Sequence, residues 1–526
     1  MQYFSTLQVC FNRLITSMSE FKLAIFLFLL FINACSPSVE KENKSISKPY
    51  QKPNIVFILA DDLGWADLPI YGNYFNEAPN ISKLSNEGMQ FSNAYAACPV
   101  CSPTRASIQS GQYPARVGII DFIPGHWRPH EEVTVPTNRT QFLPESNITI
   151  AETLKSAGYA TGYFGKWHLG FSDKHLPGNQ GYDDWRVHKG GVFYNLQSRN
   201  AIIPADKNIS DEDRLSNVLT DYSLSFIDKN KDKPFFLFLS HYDVHVQLDA
   251  DEDLINKYVN KENTGEYPGN AVYAAMIEHI DRSVGRIMDK LKELGLEENT
   301  MVVFFSDNGG LVSRFDKIPL LAKNKLPVYE DSDLQYIASS NKPLRGEKGT
   351  VYEGGIREPL IVKWPNVIKG GIKSERIISS VDFYPTFVEL AKGTLPKSQV
   401  IDGKSFAPIL NKNSSEDERA IFWHYPVYHH GVPASAIRKG DWKLIQSLDS
   451  NRIELYNLAK DKGESNDLSL KEPQKAQELL ALLDSWRSDV GARLPVKNDA
   501  FDIEKRYEWG RHPSRASKTK PNSKKN

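Results

Sequence analysis

The chain has 526 residues, which is long enough for a large buried core and suggests roughly two to four domains. Its 64 Lys and Arg residues balance 65 Asp and Glu residues, so charge gives no argument that the folded part binds nucleic acid or a membrane surface. Four cysteines in a chain of this length exclude a fold held together by disulfides.

An unbroken apolar run, LAIFLFLLFI, follows Lys22 near the start of the chain. It is about half of the roughly 20 residues that span a bilayer, so it predicts an export signal rather than an anchoring helix. The small residue before Cys35 resembles a bacterial lipobox, which implies lipidation of the Cys35 thiol. Asn33 fits that pattern loosely, so plain secretion is the alternative. We expect a signal peptide over residues 1–34, a polar tether over 35–52, and export to the periplasm or cell surface.

Several segments are continuous apolar runs, which is the pattern of strands that are buried on both faces. They cover residues 54–60, 159–164, 234–239, 301–305 and 360–364. Helical patterns lie between them, including a capping box at Thr149 and Glu152 and an amphipathic helix over 273–294. Strands that alternate with helices predict an α/β fold with a mainly parallel sheet sandwiched by helices.

The pattern changes after about residue 405. Shorter runs at 420–425, 435–438 and 442–446 predict a smaller C-terminal subdomain with an antiparallel sheet, and 474–490 predicts a closing helix. We therefore expect a catalytic domain over 53–404 and the C-terminal subdomain over 405–510. The remaining residues, 511–526, are basic and Ser-rich, which predicts a disordered tail.

Polar side chains follow four of the buried strands, at the point where each strand ends. The four sets are Asp61 and Asp62, Lys166 and His168, His241 and His245, and Asp307 and Asn308. Ligands of an open α/β sheet bind beyond the carboxyl ends of its strands, so parallel neighbours would bring the sets to one rim. Each set alone is more typical of a turn or a helix cap, but all four together favour a site.

The acidic sets predict a metal site. Asp61, Asp62, Asp307 and Asn308 offer only hard oxygen ligands, which suit Ca²⁺ or Mg²⁺ and not Zn²⁺. Ca²⁺ fits better, because a carboxylate-rich site that also admits a substrate oxygen tolerates irregular coordination. Lys166 and His168 are two apart and would share one face of an extended segment. A glycine-rich stretch over 344–359 predicts a loop that carries Lys348.

The most specific motif is Cys101-Ser102-Pro103-Thr104-Arg105. Pro103 predicts the first residue of a helix, with Ser102 as the N-cap and Gly111 just past the end. The Cys101 thiol would then lie just ahead of backbone N–H groups that point at a bound anion. Cys98 and Cys101 also form a C-x-x-C pair typical of redox proteins, but no thioredoxin-like context surrounds it.

Residues 101–105 resemble the Cys-x-Pro-x-Arg signature of the type I sulfatases, in the alkaline-phosphatase-like superfamily. The resemblance runs from about residue 53 to 468 and includes further motifs at 61–64, 165–170, 307–310 and 348–355. It implies that a formylglycine-generating or sulfatase-maturing enzyme oxidises Cys101 to formylglycine. It assigns the divalent ion to Asp61, Asp62, Asp307, Asn308 and the modified Cys101. It also implies that Arg105 braces the aldehyde hydrate, and that Lys166, His168, His245 and Lys348 surround the sulfate.

The resemblance also implies a reaction course. One hydroxyl of the aldehyde hydrate attacks sulfur, His245 with Lys348 protonates the leaving oxygen, and His168 takes the proton of the second hydroxyl. The family usually has proline shortly after the histidine that faces the leaving group, whereas Val246 follows His245 here. His241 is therefore an alternative to His245 for that role.

The function implied by the resemblance is hydrolysis of sulfate esters on a sulfated polysaccharide or oligosaccharide. The substrate would be an algal glycan such as ulvan or carrageenan, or a glycosaminoglycan. The alternatives are a phosphatase or phosphodiesterase of the same superfamily, which commonly pairs two zinc ions with a Ser or Thr nucleophile, and a non-catalytic glycan-binding lipoprotein. Trp423 and the pair His429 and His430 lie in the part that resembles the family's substrate-facing subdomain, although packing is an equal explanation for Trp423.

Overall fold

The computed structural model describes residues 51–125, 127–188, 201–210, 212–265, 267–314, 317–410 and 419–510. The predicted signal peptide, Cys35, nearly all of the tether and the predicted tail over 511–526 lie outside these residues. Within the described ranges, no helix combines the length and the apolar character needed to cross a membrane.

Fifteen strands occur in the described residues. They are β1 (Asn54–Ala60), β2 (Met89–Tyr95), β3 (Val133–Thr134), β4 (Ala160–Gly165), β5 (Asp184–His188), β6 (Ile202–Ile203), β7 (Phe235–Ser240), β8 (Thr300–Ser306), β9 (Arg357–Lys363), β10 (Ile372–Ser379), β11 (Ala420–Tyr425), β12 (Ala434–Lys439), β13 (Trp442–Ser447), β14 (Ile453–Asn457) and β15 (Val496–Lys497). The five predicted buried strands correspond to β1, β4, β7, β8 and β9, with ends that differ by up to three residues.

Eleven α-helices occur in the same residues. They are α1 (Pro79–Asn86), α2 (Cys101–Ser110), α3 (Pro114–Val117), α4 (Ile150–Ser156), α5 (Leu215–Lys229), α6 (Glu252–Val259), α7 (Ala271–Glu293), α8 (Glu353–Ile356), α9 (Phe383–Leu390), α10 (Ala407–Leu410) and α11 (Pro473–Asp489). The capping box of α4 is confirmed, since the Thr149 side chain accepts from Glu152 N and the Glu152 side chain accepts from Thr149 N. Helix α7 begins two residues earlier than predicted, because the Asn270 side chain caps it by accepting from Val272 N and Tyr273 N.

The main sheet has nine strands in the order β10-β2-β9-β8-β1-β7-β4-β5-β6. Its central strands β8, β1, β7 and β4 are neighbours and run parallel, so their carboxyl ends lie at one edge, as predicted. Strand β9 runs antiparallel to both neighbours, and β6 runs antiparallel to β5, while the remaining pairs are parallel. The predicted α/β class with a mainly parallel sheet is confirmed.

Helices cover both faces of this sheet, which explains why its central strands are apolar throughout. In β1, Val56 and Ile58 belong to one apolar cluster, which α5 and α7 complete. Ile55 and Phe57 belong to a second cluster, to which α2, α4 and α9 contribute. Side chains of a strand alternate between faces, so burial on both sides requires an unbroken apolar run.

A second sheet lies in the C-terminal part, as predicted. Strands β11 to β14 form an antiparallel four-stranded sheet in chain order, and Leu479 and Leu483 of α11 pack against it. The predicted boundary between residues 404 and 405 stays a prediction. Strands β3 and β15 form a separate two-stranded pair.

Candidate active site

The signature helix α2 begins at Cys101 and not at Pro103, so the prediction that Ser102 is its N-cap was wrong. The N-cap is Val100, whose backbone is extended, and all ten residues of α2 are buried. Ser102 does not cap the helix because its hydroxyl serves another segment: Oγ accepts a hydrogen bond of 3.0 Å from Ile123 N. The predicted end is confirmed, since Gly111 adopts φ 68° and its N–H donates to Ser107 O.

The acids that follow β1 and β8 meet Cys101 at the predicted edge of the sheet. Ligand atoms of Asp61, Asp62, Cys101 and Asp307 all lie within 4.8 Å of one another, and these side chains are buried. Asp62 adopts φ 62°, and its N–H donates to Asp307 Oδ1 at 3.2 Å. The two strand ends therefore hold each other in place through backbone as well as side-chain atoms.

Two buried oxygens in and beside this cluster accept no hydrogen bond among the described residues. They are Asp61 Oδ1 and the Oδ1 of Asn308, which follows Asp307. Asn308 Nδ2 donates to Asp62 Oδ1 at 2.7 Å, which fixes the orientation of the amide. Buried oxygens without donors are uncommon and costly, whereas a hard divalent cation takes carboxylate and amide oxygens as ligands. The residues present therefore fit a Ca²⁺ or Mg²⁺ ion.

Arg105 is buried and joins α2 to the ends of three strands. Its Nε lies 2.9 Å and its Nη2 2.6 Å from Asp307 Oδ2, after β8. Its Nη1 donates to Ser240 Oγ at 2.6 Å, at the end of β7, and to Lys166 O at 2.7 Å, after β4. Burial opposes the charged form, but Asp307 and Asp61 outweigh it and raise the pKa of Arg105. The role of Ser240 was missed in the sequence, although a polar residue that ends an apolar strand is a usable signal.

Lys166 and Lys348 approach the acid cluster from different segments. Lys166 Nζ lies 2.5 Å from Asp61 Oδ2 and 3.5 Å from Cys101 Sγ, and Lys348 Nζ lies 2.6 Å from Asp62 Oδ2. Burial disfavours both charges, but the nearby acids outweigh it and raise the pKa of each lysine. Both are therefore protonated at neutral pH, and they oppose the negative charge of the cluster.

Burial acts to raise the pKa of the acids and of the thiol alike, and the neighbouring charges decide the net shift of each group. Burial and the charge of Asp61 raise the pKa of Asp307 to about 6. Burial acts in the same direction on Asp62, but Lys348, His245 and Lys166 outweigh it and lower its pKa. Burial raises the pKa of the Cys101 thiol to about 12, so the unmodified thiol is neutral and a poor nucleophile.

The structure brings His245 to the cluster and leaves His241 outside it. His245 Nε2 lies 3.6 Å from Asp62 Oδ2, and Nδ1 hydrogen-bonds Val246 O. Burial, with Lys348, lowers the pKa of His245 to about 3. His241 is buried with its Nε2 3.0 Å from Ser283 Oγ, on helix α7.

His168 lies beyond the end of β4 in a left-handed backbone conformation, with φ 57°. Its Nε2 is 2.6 Å from Ile123 O, and its buried Nδ1 has no hydrogen-bond partner among the described residues. Burial and the charge of Lys166 lower its pKa well below the usual value. With this φ the backbone is not extended at His168, so the prediction of an extended segment over Lys166 and His168 was wrong there. Trp167, between them, donates its Nε1–H to His175 O.

Aromatic and histidine residues of the C-terminal part divide into two groups. Trp423 is buried and its Nε1 donates to Ala96 O, so it packs the core between the two sheets. His430 lies beside the glycine-rich loop, with Nδ1 3.2 Å from Glu347 Oε1, next to Lys348. A Cβ at Gly349 would meet His429 Nδ1 at 2.2 Å, so this glycine lets the His429 ring approach the same loop.

Residues 53–394 match the sequence model of the family described as Sulfatase. The chain belongs to the sulfatase family. Residues 346–486 of this sulfatase also match the model described as N-sulphoglucosamine sulphohydrolase, C-terminal. These matches identify the chain as a sulfuric ester hydrolase of the type I sulfatases, with an alkaline-phosphatase-like fold.

Relatives of this sulfatase cover most of its length. It is 32% identical to a sulfatase of Formosa agariphila, over 92% of this chain and 95% of that protein. It is 27% identical to the N-acetylgalactosamine-6-O-sulfatase of Bacteroides thetaiotaomicron, over 88% of this chain and 97% of that protein. The crystal structure of Ps i-CgsB in complex with k-i-k-neocarrahexaose superposes with a TM-score of 0.68 at 28% identity, covering 86% of this chain and 96% of that one.

Proposed function

We propose that this sulfatase hydrolyses sulfate esters of a sulfated polysaccharide or oligosaccharide. It would use formylglycine at position 101 and a divalent ion, for which we favour Ca²⁺ over Mg²⁺. The observation that carries the proposal is the cluster in which Cys101 Sγ and carboxylate oxygens of Asp61, Asp62 and Asp307 lie within 4.8 Å of one another. A side chain at position 101 in this cluster would touch both the ion and a sulfate bound between Lys166 and Lys348.

The raised pKa of the Cys101 thiol supports modification over direct use of the thiol. Formylglycine supplies an aldehyde hydrate, whose one hydroxyl serves as nucleophile and whose second hydroxyl allows the sulfate to be released. An ordinary thiol or hydroxyl offers no such second group. The maturing enzyme is therefore a required partner under this proposal.

The acids would hold the ion through Asp61, Asp62, Asp307 and Asn308, together with the modified residue at position 101. When bound, such an ion acts as a Lewis acid on a sulfate oxygen and on the nucleophile. Lys166 and Lys348 carry the positive charge that balances the transferring sulfate, and such groups are worth on the order of a few kcal/mol each in a dry site. Arg105 aligns Asp307 and would brace the modified residue at position 101.

Proton transfer is assigned to Lys348, His245 and His168. Lys348 holds a proton at neutral pH and shares Asp62 with His245, so this pair would protonate the leaving sugar oxygen, with Lys348 as the proton source. His168 is neutral and would accept the proton of the second hydroxyl. His245 is preferred to His241, because only His245 lies at the acid cluster.

The names of the relatives support a sulfated carbohydrate as substrate. One relative is an N-acetylgalactosamine-6-O-sulfatase, and the structure of Ps i-CgsB contains k-i-k-neocarrahexaose. A glycosaminoglycan and an algal glycan such as carrageenan or ulvan therefore head the panel to be tested. The domain layout, with a catalytic domain over 53–404 and a substrate-facing subdomain over 405–510, belongs to the same proposal.

The test combines the mass of the peptide that contains Cys101 with sulfate release from a panel of defined sulfated oligosaccharides. We expect an aldehyde at position 101 after co-expression with a maturing enzyme, sulfate release from at least one glycan, and its loss in Cys101→Ala. The matched control is Cys98→Ala, which replaces the other buried thiol and should retain turnover. Cleavage of phosphate esters alone would support the phosphatase alternative, and glycan binding with an unmodified thiol would support the binding protein.

Export and anchoring are a second part of the proposal, carried by the apolar run before Cys35. We propose that the mature protein begins at Cys35 and is held at the periplasmic or outer surface by lipid on that thiol. Labelling of cells with a fatty-acid analogue should mark the wild type and not Cys35→Ala. Label in neither protein, with both in the medium, would indicate plain secretion.

A further inference from the structure

Ser102, inside the signature motif, is connected to His168 by a relay of two hydrogen bonds. Ser102 Oγ accepts from Ile123 N at 3.0 Å, and Ile123 O lies 2.6 Å from His168 Nε2. Ser102 is fully buried, Ile123 is nearly so, and the three residues come from segments that are distant in the sequence. The relay therefore joins the start of α2 to the histidine that follows β4.

The relay fixes which nitrogen of His168 carries the hydrogen. A backbone carbonyl can only accept, so Nε2 must be the N–H that donates to Ile123 O, and the neutral ring then has its lone pair on Nδ1. Nδ1 is buried and has no hydrogen-bond partner among the described residues. Lys166, two residues before His168, reaches Cys101 Sγ at 3.5 Å, so the segment that carries the ring lies at the cluster.

His168 does not hold this position through its own backbone preference. Its φ of 57° lies in the left-handed region, which is unfavourable for residues other than glycine and persists only where surrounding contacts determine it. The hydrogen bond to Ile123 O is such a contact. Ile123 is itself held by Ser102, since a buried N–H without its acceptor costs about 1–3 kcal/mol.

We propose that Ser102 is a positioning residue, which sets the Nε2–H form of His168 through Ile123 and so prepares Nδ1 as a base. Its catalytic consequence rests on the proposed function. In the release step, Nδ1 takes the proton of the second hydroxyl at residue 101. The O–H electron pair forms the C=O bond, and the C–O bond to sulfate breaks with its pair leaving on sulfate.

The first test measures the tautomer in the unmodified protein, so it does not depend on turnover. The protein with Cys101 intact is labelled with ¹⁵N-histidine, and His168 is assigned by its loss in His168→Gln. Long-range ¹H–¹⁵N spectra should show the Nε2–H form in the wild type. Ser102→Ala should show a mixture of both neutral forms, and Ser102→Thr, which keeps the hydroxyl, should restore the wild-type spectrum.

The matched control is Ser107→Ala, on the same helix. Ser107 is also fully buried, but its hydroxyl contacts Ser380 Oγ and Thr104 O and has no path to His168. This variant tests whether the removal of any buried hydroxyl from α2 changes the tautomer of the His168 ring. We expect its His168 spectrum to match the wild type.

The second test follows turnover of matured enzyme, with the aldehyde content of each variant measured by mass and used to normalise rates. Ser102→Ala should give a burst of one alcohol per enzyme and then slower sulfate release. We expect a decrease of about 10- to 100-fold, less than the roughly 10²- to 10⁴-fold that a general base contributes, because the base is misoriented and not removed. Ser107→Ala should show no burst.

An unchanged Nε2–H form in Ser102→Ala would overturn the relay, and a changed tautomer with unchanged sulfate release would overturn its catalytic role. If the wild type cleaved no sulfate ester, the proposed function would fail while the tautomer result stood.

Discussion

Glu358 is a buried carboxyl group that the proposed chemistry does not use. It lies in β9, is fully buried, and neither of its oxygens has a hydrogen-bond partner in the described part of the chain. Burial, with the negative charges of Asp307, Asp62 and Asp67, raises its pKa well above the usual value. The neutral form of the side chain is therefore favoured, and the burial of a carboxyl group without a hydrogen-bond partner costs stability.

Replacement of Glu358 by Met should stabilise the protein, and more so at higher pH. Below the unfolded pKa of about 4.3, Glu358 is protonated in both the folded and the unfolded wild type. Above it, ionisation lowers the free energy of the unfolded state alone, so the wild type loses stability until the raised pKa of the folded state is reached. Urea unfolding should show a gain of about 1–3 kcal/mol at pH 8 and a smaller gain at pH 5. Glu375→Met, at an exposed position of β10, is the control. Equal gains for Glu358→Met at both pH values would contradict the assignment.

At the scale of elements, the site depends on one helix that is tied to three strand ends. Arg105 extends from α2 to Asp307 Oδ2, Ser240 Oγ and Lys166 O, so one guanidinium sets the spacing of β8, β7 and β4. A lysine keeps the charge but cannot donate in three directions from a planar group. The position therefore needs arginine for its geometry and not only for its charge.

We expect Arg105→Lys to lower the free energy of unfolding by about 2–4 kcal/mol, because buried acceptors lose their donors. Ca²⁺ affinity should fall as well, since Asp307 loses two contacts that align it. Urea unfolding and calorimetric titration of Ca²⁺ measure the two effects. Arg116→Lys, on α3, is the control: its partly exposed side chain pairs with Asp402 and Asp489, away from the cluster. Unchanged Ca²⁺ affinity in Arg105→Lys would contradict the alignment role.

The sequence predicts best the strands that are buried on both faces, because every residue of such a strand has an apolar environment. The central strands are buried on both faces, so their apolar runs predicted them, and parallel neighbours brought the polar ends together as expected. Strands β2 and β10 escaped prediction because they lie toward one edge of the sheet, and β10 has four consecutive polar residues over 373–376. Ser102 was misassigned as a cap because its partner, Ile123, is a tertiary contact that no local pattern encodes.

At the scale of the whole molecule, a buried charge network ties the C-terminal sheet to the loop that carries Lys348. Lys443 of β13 lies 2.9 Å from Glu353 Oε1 and 2.8 Å from Glu464 Oε1, and all three side chains are fully buried. Glu464 also accepts from Glu353 N at 2.7 Å. Glu353 begins α8, whose Gly355 O accepts from Gly309 N, beside the Asn308 that would bind the ion.

Lys443→Met should therefore damage both stability and activity, although Lys443 touches no substrate. It leaves two buried carboxylates without their shared cation, and breaking a buried ion pair in this way costs about 3–5 kcal/mol. Because α8 adjoins both Lys348 and Asn308, we expect lower kcat/KM on the glycan substrate and weaker Ca²⁺ binding in the fraction that folds. Urea unfolding, kinetics and calorimetry measure these effects on one preparation.

Two further variants separate this network from a general effect of losing a lysine in the sheet. Lys439→Met, on the neighbouring β12, removes a surface lysine that pairs with Glu478 at 3.4 Å and should change nothing measurable. The double variant Lys443→Met with Glu464→Gln should recover much of the lost stability, because Glu353 keeps Arg357 at 2.6 Å and the second buried charge is gone. If the double variant were no more stable than Lys443→Met alone, the loss would come from packing of the lysine stem. If Ca²⁺ affinity were unchanged in Lys443→Met, the network would stabilise the fold without positioning the site.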